Sequence, residues 1–479
     1  MSFQIAGKTA GSIMILEAAC MSTGLLMSII YGEDLRPFLY SIGILLLLGL
    51  PLYKIGKHSK DKYSVKGGFI TVGLTWLVLS AFGALPFLFD GHFGNYISCF
   101  FEAVSGFTTT GSTVLSDIES LSKGILWWRS FTHFIGGMGV LVLVNAILPT
   151  AKDKSHHLLK AEIPGPTSDK LVPKLSDTSK ILYGMYIALT LIMVLCLLLS
   201  GIGLYDALNI SVATAGTGGF AVKNLSIAGY YNIAAEYIIS IFMLLFSINF
   251  ALYFLMLTGK VKQALKSEEL HFFLGLVFAA ILVITIKITN IYGLADAFRY
   301  ALFTVASVVS TTGFANIDYN NWPALCEVVI IILMLCGACA GSTGGGVKSA
   351  RLVILFKTLR QEVAQYIHPR AVNVVRYDGK VLQEKTVNSV LRFFFIYTVI
   401  VFSALLLVSL DGFDFRTNFS AVMTCINNVG PGFGAVGPAE NFSALSGLSK
   451  IVLSFSMLIG RLEIYPIIIL FTPSAWRKD

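Results

Sequence analysis

Long apolar runs separated by polar connections extend along the whole chain. An α-helix rises 1.5 Å per residue, so about 20 apolar residues span the roughly 30 Å of hydrocarbon in a bilayer. Ten runs reach or approach this length. They cover 12–30, 38–56, 68–89, 124–148, 180–203, 232–257, 270–290, 323–356, 389–410 and 447–471. The pattern predicts an all-α integral membrane protein that crosses the bilayer ten times.

Composition and charge agree with this prediction. With 55% hydrophobic and 13% charged residues, the chain is too apolar for a soluble globular protein. Ten crossings put both termini on one side, and the loops on that side hold 23 of the 35 Lys and Arg residues, against 7 on the other. Cytoplasmic loops are enriched in these residues. We therefore expect cytoplasmic termini. We interpret the excess of cations, a net charge of +8, as a signal that orients the chain in membrane lipid and not as a sign of nucleic-acid binding.

Four connections on the outer side share a pattern that ends in glycine and threonine. They lie at 100–114, 207–222, 302–317 and 419–436. Alignment of Gly111, Gly218, Gly313 and Gly430 separates them by 107, 95 and 117 residues, and each interval contains two predicted helices. We expect a unit of helix, re-entrant segment and helix that occurs four times after two leading helices. The predicted divisions are 1–62 for the leading helices, then 63–150, 151–260, 261–370 and 371–479 for the four units.

Each shared segment is too short to cross the bilayer but long enough for a half-helix that enters from outside. Non-helical backbone at membrane depth is tolerated only inside protein or along an aqueous cavity. Four such segments around one axis would direct carbonyl oxygens inward, where they can replace the hydration shell of a monovalent cation. The hydroxyls of Thr110, Thr217 and Thr312 would add ligands or brace the backbone. The alternative, ordinary helix-breaking turns in extracellular loops, is disfavoured by the spacing of all four.

Several motifs resemble the Trk, Ktr and plant HKT superfamily of potassium-translocating membrane subunits. The motifs are IIYGED, SGFTTTGSTV, TAGTGGF, VVSTTGF, NNVGPGFG, GACAGSTGGGVKSAR and GRLEIYP. The resemblance covers nearly the whole chain, and the two leading helices favour the bacterial Trk subunit of the TrkH/TrkG type over the Ktr type. It implies potassium uptake across the bacterial inner membrane and a homodimer with one pore per subunit. It also implies a cytoplasmic, nucleotide-binding regulatory ring of the TrkA type.

The resemblance assigns residues to a selectivity filter that binds potassium. By position they are Thr109, Thr110, Gly111, Gly216, Thr217, Gly218, Thr311, Thr312, Gly313, Asn428, Val429 and Gly430. The extra glycines Gly219 and Gly432 leave an offset of one or two residues open in the second and fourth segments. In plant members, a serine at the first filter glycine is associated with sodium preference. Glycine at all four positions therefore favours potassium here.

A second glycine-rich stretch lies inside the eighth predicted helix. Residues 341–349 resemble a nucleotide-binding phosphate loop, but Val347 separates Gly346 from Lys348, and no soluble strand precedes them. Glycine inside a helix costs about 1 kcal/mol relative to alanine, so we expect a break at 337–346. In the family, such a break is an intramembrane loop that obstructs the pore below the filter. The predicted gate comprises Gly337, Gly341, Ser342, Thr343, Gly344, Gly345, Gly346 and Arg461.

Arg461, Lys348 and Arg351 are basic residues within predicted helices for which the sequence suggests a specific role. Arg461 is expected to face the pore, because an arginine at the bilayer centre costs about 2.5–3.5 kcal/mol on insertion scales. By resemblance, it raises the barrier to cations below the filter. Residues two apart on a helix lie on different faces, so Glu327 or backbone carbonyls are expected as its partners in preference to Glu463. Lys348 and Arg351 are expected to snorkel to the interface, with a role in sensing the partner or repelling cations as the alternative.

Other candidate chemistry is weaker. His133 could be a metal ligand or a proton relay, but without an evident carboxylate partner we interpret it as a hydrogen-bonded structural residue. The seven scattered cysteines indicate neither a disulfide framework nor a zinc site.

Three classes of function are compatible with a membrane protein of this kind. They are a channel-like uptake subunit, a transporter that couples potassium to sodium or protons, and an ATPase. Cytoplasmic loops are too short for a nucleotide-hydrolysing domain, so we expect no enzymatic activity. Coupling would need carboxylates at mid-membrane, and the re-entrant segments contain only Glu102 and Asp206, near their outer ends. Channel-like uptake is therefore favoured, and ion coupling remains the alternative.

Overall fold

The chain folds almost entirely into α-helices in the computed structural model, which describes residues 3–56, 65–137, 139, 175–370 and 373–476. The helices are α1 (Phe3–Tyr31), α2 (Arg36–Gly56), α3 (Val65–Gly83), α4 (Leu85–Asp90), α5 (Tyr96–Phe107), α6 (Lys123–Gly137), α7 (Leu175–Leu199), α8 (Leu204–Gly216), α9 (Ile233–Ser247), α10 (Phe250–Leu257), α11 (Val261–Ala264), α12 (Glu268–Tyr292), α13 (Leu294–Val309), α14 (Ala324–Cys336), α15 (Ser349–Ile367), α16 (Glu384–Val408), α17 (Phe415–Ile426), α18 (Gly447–Arg461) and α19 (Tyr465–Phe471). Two short strands, β1 (Arg376–Tyr377) and β2 (Lys380–Val381), form an antiparallel hairpin. The predicted all-α class is confirmed.

Six described stretches are long and apolar enough to cross a membrane as one span. They are Gly7–Tyr31, Arg36–Ile55, Gly67–Asp90, Ser179–Leu199, Glu268–Tyr292 and Glu384–Asp411. A further pair, α9 and α10, is bent by 90° and counts as a seventh if it is one broken span. These stretches match seven of the ten predicted crossings and make the chain a multi-pass membrane protein. The full set of ten remains a prediction.

Two of the other predicted crossings, the eighth and the tenth, are interrupted helices. The eighth breaks where glycine content predicts it, because α14 ends at Cys336 and α15 begins at Ser349. The tenth is divided into α18 and α19, which the sequence did not lead us to expect. In the fourth, α6 ends at Gly137, and most of the rest of 124–148 lies outside the described residues, as do the loop through 174 and the predicted boundaries at 62/63 and 150/151.

Local residues explain the two unexpected breaks. Between α9 and α10, the side chain of Asn249 accepts a hydrogen bond of 2.9 Å from the backbone N–H of Ala251, which caps a new helix. Between α18 and α19, Glu463 and Ile464 both adopt positive φ angles, 57° and 75°, and Pro466 follows in the first turn of α19. A β-branched residue with positive φ is an outlier that helical geometry cannot include. Both crossings are therefore divided.

One order of elements recurs four times after α1 and α2. A long helix (α3, α7, α12 or α16) is followed by a short one (α5, α8, α13 or α17) and then by another helix (α6, α9, α14 or α18), which is interrupted in the last three units, where its continuation is described. Junctions between successive units are also alike, since the start of each short helix contacts the start of this third helix in the preceding unit. Arg299 pairs with Glu236 at 3.4 Å, and Arg416 pairs with Glu327 at 2.7 Å. The hydroxyl of Tyr205 donates to the carbonyl of Lys123 at 2.7 Å.

The two leading helices form a close pair beside the first unit. A Cβ on Gly11 would lie 2.5 Å from the backbone nitrogen of Tyr53, so only glycine permits the approach of α1 to α2. The carboxylate of Glu33 accepts hydrogen bonds from the N–H groups of Lys123 and Gly124, at 2.8 and 3.0 Å. A negative charge at a helix N-terminus is favourable. The IIYGED motif therefore caps α6.

Candidate functional site

The four short helices end in the same backbone conformation. Each is followed by a non-glycine residue with a left-handed backbone, namely Thr109, Thr217, Thr311 and Asn428, with φ between 55° and 58°. The N–H of the next residue donates to the carbonyl five residues earlier, and the four bonds are Thr110 to Ser105, Gly218 to Ala213, Thr312 to Ser307 and Val429 to Thr424, at 2.8–2.9 Å. This is the 6→1 bond of a Schellman-type helix end. Four segments of different sequence therefore present equivalent backbone.

A glycine with positive φ follows two residues after each left-handed residue. The four are Gly111, Gly219, Gly313 and Gly430. In the first, third and fourth segments these are the glycines expected from the sequence. In the second segment the equivalent residue is Gly219, one position beyond the predicted Gly218. The equivalent triplet there is Thr217, Gly218 and Gly219, so Gly216 belongs to the end of α8. By backbone conformation, the second segment is offset by one residue from the sequence alignment and the fourth segment is not.

His133 on α6 gives the physical reason for this offset. Its ring occupies the space beside Gly218, where a Cβ would lie 2.2 Å from the imidazole. Equivalent positions in the other segments carry side chains, those of Thr110, Thr312 and Val429. His133 Nδ1 lies 2.7 Å from the carbonyl oxygen of Gly106, and Nε2 accepts from the N–H of Phe220 at 3.2 Å. The interpretation of His133 as a hydrogen-bonded structural residue is therefore confirmed.

The four segments approach one another closely in sequence order. A Cβ built on each glycine of the motif would collide with the carbonyl oxygen of a neighbouring segment: Gly111 with Gly218 at 2.0 Å, Gly219 with Thr312 at 2.0 Å, Gly313 with Val429 at 2.1 Å, and Gly430 with Thr110 at 2.8 Å. The last contact returns from the fourth segment to the first, so the contacts close a cycle. We call Thr110, Gly218, Thr312 and Val429, with these four glycines, the carbonyl ring. Any larger residue at the four glycines would force the segments apart.

Side-chain oxygens around the ring divide into two groups. Thr110 and Thr312 exchange hydrogen bonds with the hydroxyls of Thr108 and Ser310, at 2.8 and 2.6 Å. Thr217 donates to its neighbouring carbonyl, that of Gly216, at 2.6 Å. The predicted hydroxyls therefore brace the backbone. By contrast, Thr109 Oγ1 and Asn428 Oδ1 are buried oxygen atoms with no hydrogen-bond partner in the described part of the chain.

A buried ion pair lies beside the first segment. The guanidinium of Arg129 donates to Glu102 Oε1 through Nη2 at 2.8 Å and through Nε at 2.9 Å, and both side chains are almost fully buried. Glu102 also accepts from the hydroxyl of Thr113 and the N–H of Val114, at 2.9 and 3.0 Å. Arg129 reaches the carbonyl of Ala221 in the second segment. Charge-assisted bonds thus connect two ring segments.

The non-helical stretch between α14 and α15, residues 337–348, packs against the ring. The N–H of Gly345 donates to Thr311 Oγ1 at 2.6 Å, and a Cβ on Gly345 would lie 2.9 Å from that of Asn428. On its other side, the carbonyl of Gly341 accepts from the N–H of Phe250 at 3.1 Å. We call this stretch the glycine loop. Its glycines permit contact with the third and fourth segments at once.

Arg461 joins the glycine loop to two other elements. Its guanidinium donates to the carbonyl of Thr343 at 2.8 Å and to those of Gly136 and Gly137 at 2.5 and 2.6 Å, and the side chain is only 8% exposed. Backbone carbonyls are therefore its partners, which is one of the two alternatives expected from the sequence. The other expected partner, Glu327, pairs with Arg416 instead.

Lys348 and Arg351 do not snorkel to an interface. They are 2% and 6% exposed. Lys348 Nζ donates to the carbonyl of Gly344 within the glycine loop. Arg351 pairs with Glu463 at 2.5 Å, and its guanidinium lies 4.1 Å from the ring centre of Phe393. The snorkelling expectation is wrong, because both side chains find partners inside the protein.

Glu269 at the start of α12 holds both ends of the glycine loop. Its Oε1 accepts from the N–H of Ala340 at 2.6 Å and from that of Ala350 at 3.0 Å. The residue is 3% exposed. Sequence reasoning missed it, because an acidic residue in the first turn of a helix is commonly an ordinary partner of the helix dipole.

Within the described ranges, no group of three or more His, Cys, Asp or Glu residues has the geometry of a metal site. The oxygen atoms gathered at this site belong instead to backbone carbonyls, threonine hydroxyls and the Asn428 amide.

Comparison with known proteins identifies the family. The family model described as TrkH, cation transport protein, matches residues 38–295 and 272–478. The chain is 36% identical over 474 residues to the Trk system potassium uptake protein TrkG of Escherichia coli, covering 98% of this chain and 97% of the relative. It is 34% identical over 485 residues to TrkH of the same organism, with 100% of both chains covered.

A solved structure agrees with these matches. The crystal structure of the potassium transporter TrkH from Vibrio parahaemolyticus superposes with a TM-score of 0.89 at 32% identity, and the alignment covers 100% of both chains. Family model, relatives and fold thus agree along the whole length. The chain belongs to the TrkH family of cation transport proteins.

Proposed function

We propose that the chain forms a gated, channel-like pore for potassium uptake across the bacterial inner membrane, with the carbonyl ring as its selectivity filter. The observation that carries this proposal is the closed cycle of contacts between four equivalent segments. A cation on the axis of such a ring would exchange water for the carbonyls of Thr110, Gly218, Thr312 and Val429. The names of the relatives support potassium as the ion.

In this proposal the four units surround a central pore, and each contributes one filter triplet. The triplets are Thr109, Thr110 and Gly111; Thr217, Gly218 and Gly219; Thr311, Thr312 and Gly313; and Asn428, Val429 and Gly430. The equivalent backbone angles support this grouping. Thr109 Oγ1 and Asn428 Oδ1, which are buried without hydrogen-bond partners, would be further oxygen ligands.

The glycine loop and Arg461 form the gate. The loop contacts the third and fourth segments through Gly345, and Arg461 holds it through the carbonyl of Thr343. Removal of the loop from the ion path requires the bonds that Arg461, Glu269 and Thr311 make to it to break together. Their shared attachment to one short stretch supports a two-state gate.

We infer the assembly from the family resemblance. The chain would pair as a homodimer, and a cytoplasmic ring of nucleotide-binding subunits of the TrkA type would bias the gate. Both termini would then lie in the cytoplasm. The relatives are named as members of a Trk system, which supports a partner of this kind.

The alternative is coupled transport of potassium with protons or sodium. Such coupling needs a carboxylate that can change its charge beside the ion. Glu102, on the short helix that leads into the first filter triplet, is engaged by Arg129 and by Thr113. This engagement favours uptake without coupling at the ring.

Ion flux through purified protein in liposomes tests the proposal. We expect potassium and rubidium to pass faster than sodium and lithium, with no dependence on a proton gradient. Gly111→Ser should reduce discrimination of potassium from sodium, because its side chain would meet the carbonyl of Gly218. Gly275→Ser, at an open and exposed position on α12, is the matched control. Equal flux of all four ions in the wild type would refute a selective filter, and proton-driven uptake would favour the alternative.

A further inference from the structure

A carboxyl group without a hydrogen-bond donor lies at the centre of α1. Glu17 is 14 residues from each end of the helix Phe3–Tyr31, a distance of about 21 Å at the rise of an α-helix. The residue is 1% exposed, and neither carboxyl oxygen has a hydrogen-bond partner among the described residues. Neither the carbonyl ring nor the glycine loop includes it.

The surroundings of Glu17 offer no counter-charge. A Cβ on Gly83 would lie 2.9 Å from Glu17 Oε1 and 2.4 Å from the ring of Phe107, so both side chains flank the same point of α3. Trp76 and Ser80 lie seven and three residues before Gly83, on the same face of α3. Their polar side-chain atoms are likewise buried without partners.

Three titratable groups on the elements packed around α1 are engaged elsewhere. The helices in contact with α1 are α2, α3 and α6, and α5 is reached through Phe107. Arg129 is paired with Glu102, Lys123 Nζ lies 3.8 Å from the ring centre of Tyr31, and His133 bonds Gly106 and Phe220. The remaining described ionisable side chains on α1, α2 and α5 are Lys8, Cys20, Arg36, Tyr40, Tyr53, Lys54, Tyr96 and Cys99.

Two of these groups interact electrostatically with Glu17, and neither is cationic. They are the thiol of Cys20 and the phenol of Tyr96. Both are acids whose ordinary pKa values leave them mostly uncharged at neutral pH. They would repel a carboxylate if they ionised, and they cannot neutralise one.

We propose that Glu17 is a proton-binding site inside the membrane, outside the ion path and beside Phe107 at the end of α5. An ionised carboxylate without donors or a counter-charge is far more costly in an apolar interior than the neutral acid. The ligand of this site is therefore a proton, and the side chain carries it as the neutral acid at neutral pH. This inference does not rest on the proposed uptake function, and either can fail without the other.

A neutral acid in an apolar site should react with a hydrophobic carbodiimide. The carboxyl oxygen forms a bond to the central carbon of the reagent, and the acid proton moves to one of its nitrogens. The adduct then rearranges by transfer of the acyl group from oxygen to nitrogen. The reaction is an addition, so no group leaves and the peptide gains the mass of one reagent.

Infrared difference spectroscopy of the full-length purified protein tests the protonation state directly. The spectrum of the wild type minus that of Glu17→Gln at neutral pH is expected to show the carbonyl stretch of a protonated carboxyl, with a shift in heavy water. Glutamine is uncharged and similar in shape, which makes it the matched variant. Symmetric and antisymmetric carboxylate bands in place of that stretch would overturn the proposal.

A second measurement needs no variant. Wild-type protein is treated with dicyclohexylcarbodiimide at neutral pH, and its peptides are analysed by mass spectrometry. The adduct is expected at Glu17 but not at Glu102, which is equally buried but forms an ion pair with Arg129. A water-soluble carbodiimide should leave Glu17 unmodified. Absence of the adduct at Glu17, or equal labelling of Glu102, would overturn the proposal.

Discussion

The guanidinium of Arg461 donates to the carbonyl oxygen of Thr343 at 2.8 Å, which ties the end of α18 to the glycine loop. The same side chain donates to two carbonyls at the end of α6. The Arg461 side chain thus links the glycine loop, which contacts the carbonyl ring, with the ends of α6 and α18. This relationship gives the arginine a role beyond the repulsion of cations, because it also fixes the position of the loop.

Replacement of Arg461 by alanine is expected to increase potassium flux. A hydrogen bond to a charged group contributes about 1.5–3 kcal/mol, and a change of about 1.4 kcal/mol is a factor of ten. We therefore expect a rise of roughly tenfold or more in liposome flux. Lys287→Ala, which removes an exposed lysine from α12 away from the loop, is the control and should not change flux. Unchanged flux in Arg461→Ala would contradict the gate assignment.

Replacement of Glu269 by alanine is expected to loosen the glycine loop at both ends. The variant leaves the N–H groups of Ala340 and Ala350 without their acceptor, and each unsatisfied buried group costs about 1–3 kcal/mol. We expect higher flux and faster hydrogen exchange of both amides. The neighbouring Glu268→Ala removes an acid that pairs with Lys357. Equal effects of the two substitutions would show that any acidic residue at this end of α12 matters, and that the two hydrogen bonds accepted by Glu269 have no specific role.

The contact between His133 and Gly218 predicts a rescue. Gly218→Thr alone should abolish selective uptake, because its Cβ would overlap the imidazole. His133→Ala alone should reduce discrimination of potassium from sodium, because Gly106 and Phe220 lose their shared partner. The double variant restores the residue type found at the equivalent Thr110 and Thr312, and selectivity should partly return.

His133→Gln serves as the conservative control for this rescue, since an amide can donate and accept in place of the imidazole. It should retain most of the selectivity. The rescue hypothesis fails if the double variant transports no better than Gly218→Thr. Permeability ratios from liposome flux supply the measurement for all four proteins.

The buried pair of Arg129 and Glu102 predicts a large effect on stability. Arg129→Ala leaves a carboxylate buried without its partner, which typically costs about 3–5 kcal/mol. Thermal unfolding of purified protein in detergent should show a clear fall in midpoint. Replacement of both residues together, by methionine and leucine, should recover much of the loss. Arg36→Ala, in an exposed pair with Asp34, should have little effect. An equal response at both sites would contradict the role assigned to the buried pair.

Much of the site follows from local sequence. The four glycine and threonine segments and the break at 337–346 depend on residues near each other in the chain, and the structure contains a left-handed helix end or a helix break at each place. Residue type determines such conformations directly, because left-handed backbone and helix interruption favour particular residues. Pattern and spacing were therefore sufficient to find these segments.

Contacts between distant units could not be read from sequence. The register of the second segment depends on His133 in the preceding unit, so alignment of glycines alone selected Gly218 in place of Gly219. The carboxylate of Glu269 bonds amides 71 and 81 residues away. The burial of Lys348 likewise depends on the path of the glycine loop that folds around it. The role of each of these residues can be recognised only when the folded structure is known.

Anomalous diffraction from crystals of the full chain soaked in rubidium tests the central claim most directly. Rubidium substitutes for potassium and can be located by its anomalous signal. The account predicts a peak on the axis between the carbonyls of Thr110, Gly218, Thr312 and Val429, and loss of that peak in Gly219→Ala. Bound rubidium elsewhere in the membrane region, with none at the carbonyl ring, would contradict the account.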